Sequence, residues 1–521
     1  MKFFNPDNRP FLSIFKEIKD PVPKAILALN LVLTIAYFSI LAFFINVENI
    51  TLFTLLIIAE AFHLWQTLSY LYTIIHKSPN RIFNKSFTPE VDVFITVVNE
   101  PLEIVKQTAL AAKNMSYPNH NVYILNDGKV AGFEEWQKTE QLANEIGINC
   151  ITRSKPGGAK AGNINNALSQ TKAPLFVVFD ADHIPKPNFL KKTIGYFYDR
   201  KVAFVQSPQF YKNHKENLIT KTAWEQQELF FDPICQGKDG MDSTFMCGTN
   251  MVIRRTAILE AGGMCETNIA EDFLTSLFIH EKGWKSIYVP EILAEGLAPE
   301  DFMSYYKQQF RWARGSLEVI FKYNPLFRKG LNWKQKFQYL TSATYYLSGV
   351  IVWINILLPL IFLYTGQVAQ TITTMQLAIV FVPYIFTTIY ILNQSNNFKY
   401  TFNALTFSFG SFDLFTKALI DVISGKKTKF EVTSKTKQAG NYSHLVTTHF
   451  FIIFLSILGF IVAYTREGAS ANLVTNLSWS IVNITLFIPF IKAALPEKVK
   501  LEEQSTEIQI QSNTAEATVN D

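Results

Sequence analysis

The sequence predicts an α/β domain inserted between two groups of membrane-spanning α-helices. Long apolar runs lie near both ends of the chain, two before residue 76 and four after residue 338. Between these groups, short β-rich runs alternate with helical stretches over residues 90–300. The chain has 521 residues, of which 48% are hydrophobic and 45 are Phe, and it is long enough for several domains.

Six apolar stretches are long enough to cross a bilayer, which takes about 20 mostly apolar residues in a helix. The predicted spans are 25–45, 50–75, 339–364, 371–393, 445–464 and 472–492. The first 24 residues are charged and contain prolines, and the apolar run behind them is too long for the core of a signal peptide. Glu60 lies inside the second span and either packs against another helix or lines an internal path.

The distribution of basic residues predicts the orientation of the spans. Residues 1–24 and 394–444 are rich in Lys and Arg, whereas the short links 46–49 and 365–370 contain neither. By the positive-inside rule, both termini and the central domain face the cytoplasm. The sequence therefore predicts a multi-pass protein of the plasma membrane with a cytoplasmic α/β domain.

Charge and cysteine content exclude several classes of protein. The chain has 48 Lys and Arg against 43 Asp and Glu, and no basic run is interleaved with aromatic residues, so we expect no nucleic-acid partner. The four cysteines form no Cys-x-x-Cys pair. This argues against a disulfide framework or a zinc site and favours a reduced cytosolic environment.

The remaining segments complete the predicted order of domains. Residues 301–338 and 400–425 mix aromatic and charged side chains and suit helices on the cytosolic membrane surface. The polar C-terminal tail is predicted to be disordered. In order, we expect a cytosolic segment 1–24, spans 25–75, the cytosolic α/β domain 90–300, interface helices 301–338, spans 339–393, an interface helix and loop 400–444, spans 445–492 and the tail 493–521.

Within the central domain, strands and helices alternate in a regular order. Predicted strands are 91–98, 121–127, 148–153 and 174–182, and predicted helices are 103–115, 132–146 and 160–170. This rhythm is typical of a parallel sheet with helices on both faces. Ligands of such sheets bind beyond the carboxyl ends of the strands.

Three acids follow two of these strands. Asp127 comes at the end of the second strand, and Asp180 and Asp182 end the fourth in the stretch FVVFDADH. The sequence predicts that these acids converge on one rim, where they would repel unless a positive charge lies among them. Mg²⁺ or Mn²⁺ takes carboxylate oxygens and shares its other positions with phosphates and water. Taken alone, a D-x-D also fits chance or a helix-capping Asp.

The stretch KPGGAKAGN (155–163) has glycines at the spacing of a phosphate-binding loop. Asn163 stands where that loop needs Lys, so a nucleotide hydrolase is disfavoured. Lys160 either lies beside a phosphate or belongs to a plain turn.

Two further stretches carry candidate chemistry. Asp272 begins an apolar helical stretch, where it is either a general base or an acid that favours the helix N-terminus. Gln308 and Arg311 share a helix face, and Arg can grip phosphate oxygens by two bonds. Trp312 offers a flat surface for a sugar ring or an anchor at the membrane interface.

In this order, the motifs resemble those of processive family 2 glycosyltransferases, and among them the catalytic subunits of cellulose synthases. The resemblance covers residues 90–445. The matching stretches are VDVFITVVNEP (91–101), NDG (126–128) for D-D-G, KAGNINNAL (160–168), DAD (180–182) for D-x-D, FMCGTNMVIRR (245–255) for F-x-C-G-[ST], AED (270–272) for T-E-D, QQFRW (308–312) for Q-x-x-R-W and FEVTSK (430–435) for F-x-V-T-x-K. The last, a gating loop, favours cellulose synthases over hyaluronan and chitin synthases.

The resemblance implies a GT-A type domain, a Rossmann-like mixed sheet, and a role for each matched residue. Asp272 would deprotonate the 4-hydroxyl of the terminal sugar, and Asp182 would ligate Mg²⁺ or Mn²⁺. The implied nucleotide-sugar ligands are Asp127 at the uridine, Lys160, Asp180, Gln308, Arg311, Thr433 and Lys435. The implied acceptor ligands are Trp312, which would stack under the sugar, and Cys247, Gly248 and Thr249.

The function implied by the resemblance is the polymerisation of glucose from UDP-glucose into a β-glucan, with cellulose as the first candidate. The growing glucan chain would leave through the spans, in contact with membrane lipid, and an accessory secretion subunit is a further implied partner. With six spans rather than eight and a short tail, we expect no cyclic-di-GMP-binding domain. Alternatives are a β-1,3 or mixed-linkage glucan, a mannan, a hyaluronan-like or chitin-like polymer, a lipid-linked transferase, and a transporter with an ATPase-like insert.

Overall fold

The computed structural model describes residues 22–396, 399, 401–426 and 440–496. Within these residues, six helical segments are long and apolar enough to cross a membrane, and they coincide with the six predicted spans. The helices are α1 (Lys24–Phe43), α2 (Ile50–Ile74), α3 (Leu102–Lys113), α4 (Trp136–Ile146), α5 (Ala159–Leu168), α6 (Phe189–Thr193), α7 (Leu218–Leu229), α8 (Cys235–Asp239), α9 (Arg255–Glu260), α10 (Glu271–Glu281), α11 (Phe302–Tyr323), α12 (Trp333–Thr344), α13 (Ser348–Thr365), α14 (Thr374–Ser395), α15 (Phe402–Gly410), α16 (Phe412–Ile423), α17 (Thr447–Glu467) and α18 (Ala471–Ala494).

The strands form two sheets. They are β1 (Val91–Val97), β2 (His120–Asn126), β3 (Asn149–Thr152), β4 (Leu175–Asp180), β5 (Ile184–Pro185), β6 (Val202–Gln206), β7 (Phe210–Tyr211), β8 (Met251–Arg254), β9 (Lys285–Tyr288) and β10 (Ala294–Gly296). The large sheet has the order β3-β2-β1-β4-β8-β6-β9, and the small one has the order β5-β10-β7. In the large sheet, β1 to β4 are parallel and β8 is antiparallel to both of its neighbours.

The large sheet is therefore mixed, as the family resemblance implies, and not purely parallel, as the alternation of strands and helices suggests. Its central strands are buried on both faces, because apolar side chains alternate between two cores. Val93, Ile95 and Val177 pack in one core, and Phe94 and Phe176 pack in the other. The prediction of an α/β domain flanked by six apolar helices is confirmed.

The third span begins earlier than predicted, at Trp333 rather than at residue 339. The side chain of Asn332 accepts a hydrogen bond from the backbone N–H of Gln335, and the Gln335 side chain accepts one from the backbone of Asn332. This reciprocal cap makes the helix begin at Trp333, before the apolar run. Hydropathy alone does not reveal this earlier start, because α12, the first helix of the third span, is amphipathic.

Helix α8 attaches the α/β domain to the spans. Lys238 is buried, and its ammonium donates hydrogen bonds to the side chains of Gln338 and Ser342 on α12, both at 2.8 Å. Gly237 lies against α2, where a Cβ atom would approach the carbonyl oxygen of Thr73 to 2.2 Å. The domain is therefore fixed to two spans by close packing and by one buried cation.

Candidate active site

The carboxyl ends of β2 and β4 lie at one edge of the large sheet. β1 lies between these strands and pairs in parallel with both, with Thr96 opposite Asp180. Asp127 directly follows β2, and Asp182 follows β4. The register therefore brings the acids of both strands to the edge where ligands of open α/β sheets bind.

Asp180, Asp182 and His183 form one candidate cation site at this edge. One ligand atom from each residue lies within 4.8 Å of the other two. Asp182 is 1% exposed and His183 is 3% exposed. Oδ2 of Asp182 accepts a hydrogen bond of 3.1 Å from the backbone N–H of Leu297, and Nδ1 of His183 lies 3.5 Å from Oδ1 of Asp182.

This donor set fits a divalent cation. Neither ring nitrogen of His183 has a hydrogen-bond partner in the part of the chain that the structure describes. Buried polar atoms are rarely left without a partner, and a bound cation would supply one. Gly296 makes room for the imidazole, because a Cβ atom there would lie 2.5 Å from the ring. Carboxylate oxygens suit Mg²⁺ and Mn²⁺, and the added imidazole favours Mn²⁺.

Asp127 lies on the same rim but outside this group. It is 5% exposed, and Arg153 binds both of its oxygens, Nε to Oδ1 at 2.8 Å and Nη2 to Oδ2 at 2.6 Å. Burial raises the pKa of Asp127, and the Arg153 guanidinium opposes that rise only in part. The three acids therefore do not surround one cation, because the positive partner of Asp127 is a side chain of the protein.

Lys160 lies between the acids of β4 and the loop that precedes β8. Its ammonium forms an ion pair with Asp180 and donates a hydrogen bond of 2.8 Å to the carbonyl oxygen of Gly248. Burial alone would raise the pKa of Asp180, but the Lys160 charge outweighs burial and the pKa is lowered. Asp180 is therefore held as a carboxylate at the mouth of the cation site.

Asp272 lies in the first turn of α10. Its Oδ1 accepts a hydrogen bond of 2.7 Å from the backbone N–H of Phe273. Burial, and next the neighbouring Glu271 carboxylate, raise the pKa of Asp272 to about 7. Its Oδ2 faces Gly248, where a Cβ atom would lie 3.2 Å away. This carboxyl group has the environment that a general base near neutral pH requires.

The loop of residues 247–249 contacts both Asp180 and Asp272. The backbone N–H of Cys247 donates to the side chain of Gln206 at 2.9 Å, and Gly248 has a φ of +86°, which favours glycine. The hydroxyl of Thr249 accepts a hydrogen bond of 2.9 Å from the backbone N–H of Asp180. In this arrangement Thr249 supports Asp180, and its predicted contact with the acceptor stays a prediction.

Helix α11 carries Gln308, Arg311 and Trp312, all partly buried. Burial, and next the charge of Asp182, raise the pKa of Tyr211, and the nearby Gln308 side chain opposes that rise. The Tyr211 hydroxyl accepts a hydrogen bond of 3.2 Å from the side chain of Gln227. The positive charge of Arg311 acts on Asp272 as well as on Tyr211. The structure therefore brings the α11 motif to the same pocket as the acids. Thr433 and Lys435 lie outside the described residues.

The sequence reasoning missed three residues of this pocket. His183 directly follows the DAD stretch, so a motif extended by one residue would have found it. Tyr211 and Arg153 stand in no motif, and their contacts with Gln308 and Asp127 join distant parts of the chain. Only the fold reveals these two.

Two family models match the chain. The model described as "Glycosyltransferase like family 2" matches residues 89–315, and the model described as "Cellulose synthase" matches residues 261–501. Among solved structures, a mannosyltransferase from Pyrobaculum calidifontis in complex with GDP-Man and Mn²⁺ has a TM-score of 0.44 and 15% identity, and it covers 77% of this chain and 100% of its own.

Over the aligned segments, about a third of the residues are identical between curated relatives and this chain. Cellulose synthase 2 of Novacetimonas hansenii is 33% identical over 356 residues, 67% of this chain and 22% of the relative. The cellulose synthase catalytic subunit [UDP-forming] of Pseudomonas fluorescens is 31% identical over 416 residues, 76% of this chain and 55% of the relative. That of Xanthomonas axonopodis pv. citri is 36% identical over 269 residues, 50% of this chain and 36% of the relative.

The chain combines a mixed sheet with an acidic rim and apolar helices on both sides, and its α/β domain matches the model of family 2 glycosyltransferases. The chain spans between about a fifth and about half of the length of the curated relatives described above. Residues 89–315 match family 2 of the glycosyltransferases, residues 261–501 match the cellulose synthases, and the six apolar helices are those of a multi-pass membrane protein.

Proposed function

We propose that this chain is a processive, inverting glycosyltransferase that polymerises glucose from UDP-glucose into a β-glucan and moves the chain across the membrane. Cellulose, with β-1,4 linkages, is the proposed product. The observation that carries the proposal is the convergence of Asp272, Lys160 and Asp180 on one pocket with the α11 motif. The domain is proposed to lie in the cytoplasm, where UDP-glucose is made available.

In this proposal, the sugar donor binds across the rim of the sheet. Asp127 contacts the uridine, and Asp180 and Lys160 lie beside the nucleotide. Gln308 and Arg311 hold the diphosphate, which Arg can grip by two hydrogen bonds. Asp182 and His183, with Asp180, would hold Mg²⁺ or Mn²⁺, which when bound neutralises charge on the leaving diphosphate. Thr433 and Lys435 are proposed to contact the nucleotide as well.

Asp272 is the proposed general base. It accepts the proton of the acceptor 4-hydroxyl, the hydroxyl oxygen attacks the anomeric carbon, and UDP leaves with the electrons of the broken bond. Gly248 lies directly against Asp272, so the loop of residues 247–249 borders the place where the acceptor hydroxyl must lie. Such help from a positioned base is worth about 10²–10⁴-fold in rate.

A polar stripe along α2 supports the proposed movement of the glucan through the spans. Glu60, His63, Thr67 and Tyr70 recur at helical spacing on α2. Their partners lie on three other spans: Tyr37 on α1, Asn355 on α13, and Tyr384 and Ser395 on α14. Polar groups at membrane depth are costly unless they meet one another or a polar path. A polysaccharide rich in hydroxyls would need such a path.

Incorporation of radiolabelled UDP-glucose by membranes that contain the chain tests the proposal. We expect insoluble labelled polymer that a β-1,4-specific glucanase digests, and UDP release without any added lipid acceptor. Membranes with Asp272→Asn are the control. Digestion only by a β-1,3-specific enzyme would keep the enzyme class and change the product. Incorporation from another UDP-sugar, with none from UDP-glucose, would contradict the proposed donor.

Trp312→Ala is expected to impair elongation more than nucleotide binding. The indole offers an apolar face to the acceptor sugar, and the donor is held by other residues. We expect polymer yield to fall by about tenfold, since a stacked aromatic face contributes about 1–2 kcal/mol, while the affinity for UDP is unchanged. Trp284→Ala, on a partly buried Trp at the opposite side of the sheet, is the control. An unchanged polymer yield for Trp312→Ala would contradict the stacking role.

A further inference from the structure

Arg153 joins two separate parts of the candidate active site. It is 6% exposed. Nε and Nη2 hold the two oxygens of Asp127, at 2.8 and 2.6 Å. The guanidinium also donates hydrogen bonds to the carbonyl oxygens of Gly157 and Ala159, the latter at 3.2 Å. These carbonyls belong to the turn at the start of α5, where Ala159 directly precedes Lys160.

We propose that Arg153 is a positioning residue that aims Asp127 at the nucleobase and fixes the turn that places Lys160 beside Asp180. One guanidinium would thereby set the distance between the nucleobase contact and the phosphate side of the donor site. This inference rests on the proposed function, from which the nucleobase contact of Asp127 is taken.

The geometry suits Arg and no other side chain. A carboxylate has about four lone-pair directions, and the fork of Arg153 uses one on each oxygen. The remaining directions stay available to a ring N–H of a bound base. Lys could offer only a point charge, without the planar fork that binds two oxygens and two carbonyls together. The positive charge also opposes the rise in the pKa of Asp127 that burial causes.

The turn has little freedom to adjust. Gly162 packs so closely that a Cβ atom there would lie 2.5 Å from Nη1 of Arg153 and 2.2 Å from the carbonyl oxygen of Gly157. Gly158 and Ala159 have φ values of +65° and +44°, so the chain there is held in the left-handed region. Loss of the guanidinium would therefore release both Asp127 and the start of α5.

The chain contains a matched control pair, Arg255 with Asp92. Nη2 of Arg255 lies 3.0 Å from Oδ2 of Asp92, and Arg255 also binds backbone carbonyls, those of Ala173 and Leu168, at 2.6 and 2.8 Å. Asp92 is near the start of β1, at the edge of the sheet opposite to the rim. This pair therefore also joins a buried carboxylate to two backbone carbonyls, with one hydrogen bond to the carboxylate instead of two, and it has no place in the proposed site.

The test compares Arg153→Lys with Arg255→Lys in the full chain purified in detergent. Four quantities are measured: the Kd for UDP by calorimetry, the KM and the kcat for UDP-glucose, and the melting temperature. We expect Arg153→Lys to raise the Kd for UDP and the KM about tenfold, with kcat within about twofold. Both variants should lower the melting temperature to a similar degree. Arg255→Lys should leave the Kd for UDP and the KM for UDP-glucose unchanged.

Two further measurements separate positioning from general stability. In the Asp127→Asn background, Arg153→Lys should have a smaller effect on the Kd for UDP, because the part of the effect that acts through that carboxylate is already lost. Arg153→Met should bind UDP progressively more weakly as the pH is lowered, since burial raises the pKa of Asp127 and the opposing charge is gone. The wild-type affinity should change less as the pH is lowered.

Three results would overturn the proposal: a wild-type Kd for Arg153→Lys, an equal rise in Kd for Arg255→Lys, or an undiminished effect in the Asp127→Asn background. If the wild type binds UDP but does not turn over UDP-glucose, the proposed function fails while the Kd measurements still decide the role of Arg153. If the wild type binds no UDP, both fail.

Discussion

Asp272→Asn is expected to lower the rate of polymer formation by about 10²–10⁴-fold while the affinity for UDP-glucose stays within about twofold. The asparagine keeps the shape of the side chain but cannot accept the proton of the acceptor hydroxyl. In the proposed function, the donor is held by the rim of the sheet and by α11, which the substitution leaves unchanged. Radiolabel incorporation measures the first effect, and calorimetric titration with UDP in the full chain measures the second.

Glu271→Gln is the matched control, because it removes the adjacent carboxylate from the same turn of α10. This variant should remain active. Loss of UDP affinity in Asp272→Asn, at an unchanged melting temperature, would count against the base assignment, and so would retained polymer synthesis. Loss of activity in both variants would instead indicate that the turn itself is disrupted.

The pH profile follows from the same residue. Burial and Glu271 raise the pKa of Asp272 to about 7, so below that pH a growing fraction is protonated and cannot act as a base. We expect kcat/KM to fall about tenfold for each unit of pH below the midpoint. Removal of the Glu271 charge in Glu271→Gln should move the midpoint to lower pH. If the pH profile of Glu271→Gln is identical to that of the wild type, the charge of Glu271 does not set the midpoint.

Much of the fold can be predicted from local sequence, because period and hydropathy are local properties. The strand at 91–97 and the helix at 102–113 fall within one or two residues of their predicted bounds. The direction of β8 could not be predicted in this way. The strand is antiparallel to β4 and β6, and strand direction depends on how the intervening chain crosses the sheet rather than on the strand's own residues.

The residues of the candidate site likewise fall into those that local sequence predicts and those whose contacts depend on the fold. The carboxylates of Asp180 and Asp182 could be placed from their position at the end of a buried strand. The pairing of Asp127 with Arg153 could not, since it depends on the neighbouring positions of β2 and β3 in the folded sheet. Lys160 is an intermediate case. Its motif left a phosphate contact and a plain turn both open, and its ion pair with Asp180 required the structure.

Asp182→Asn is expected to abolish the effect of divalent cations on this protein. The Asp182 carboxylate is 1% exposed and shares the candidate cation site with Asp180 and His183. An amide supplies no charge to a cation and is a much weaker ligand than a carboxylate. For the wild type, Mn²⁺ at about 100 times its Kd should stabilise the fold by about 2.7 kcal/mol, which is a rise of several degrees in melting temperature.

Asp92→Asn is the control, since Asp92 is also buried, at 2% exposed, but lies at the opposite edge of the sheet. It should lower the melting temperature and keep the rise that Mn²⁺ causes. Asp182→Asn should lose that rise and most polymer synthesis, and His183→Ala should weaken Mn²⁺ binding more than Mg²⁺ binding, because an imidazole nitrogen is a poorer ligand for Mg²⁺. If Mn²⁺ stabilises Asp182→Asn as strongly as the wild type, the cation binds elsewhere, and the acids of β4 must then be neutralised by Lys160 alone.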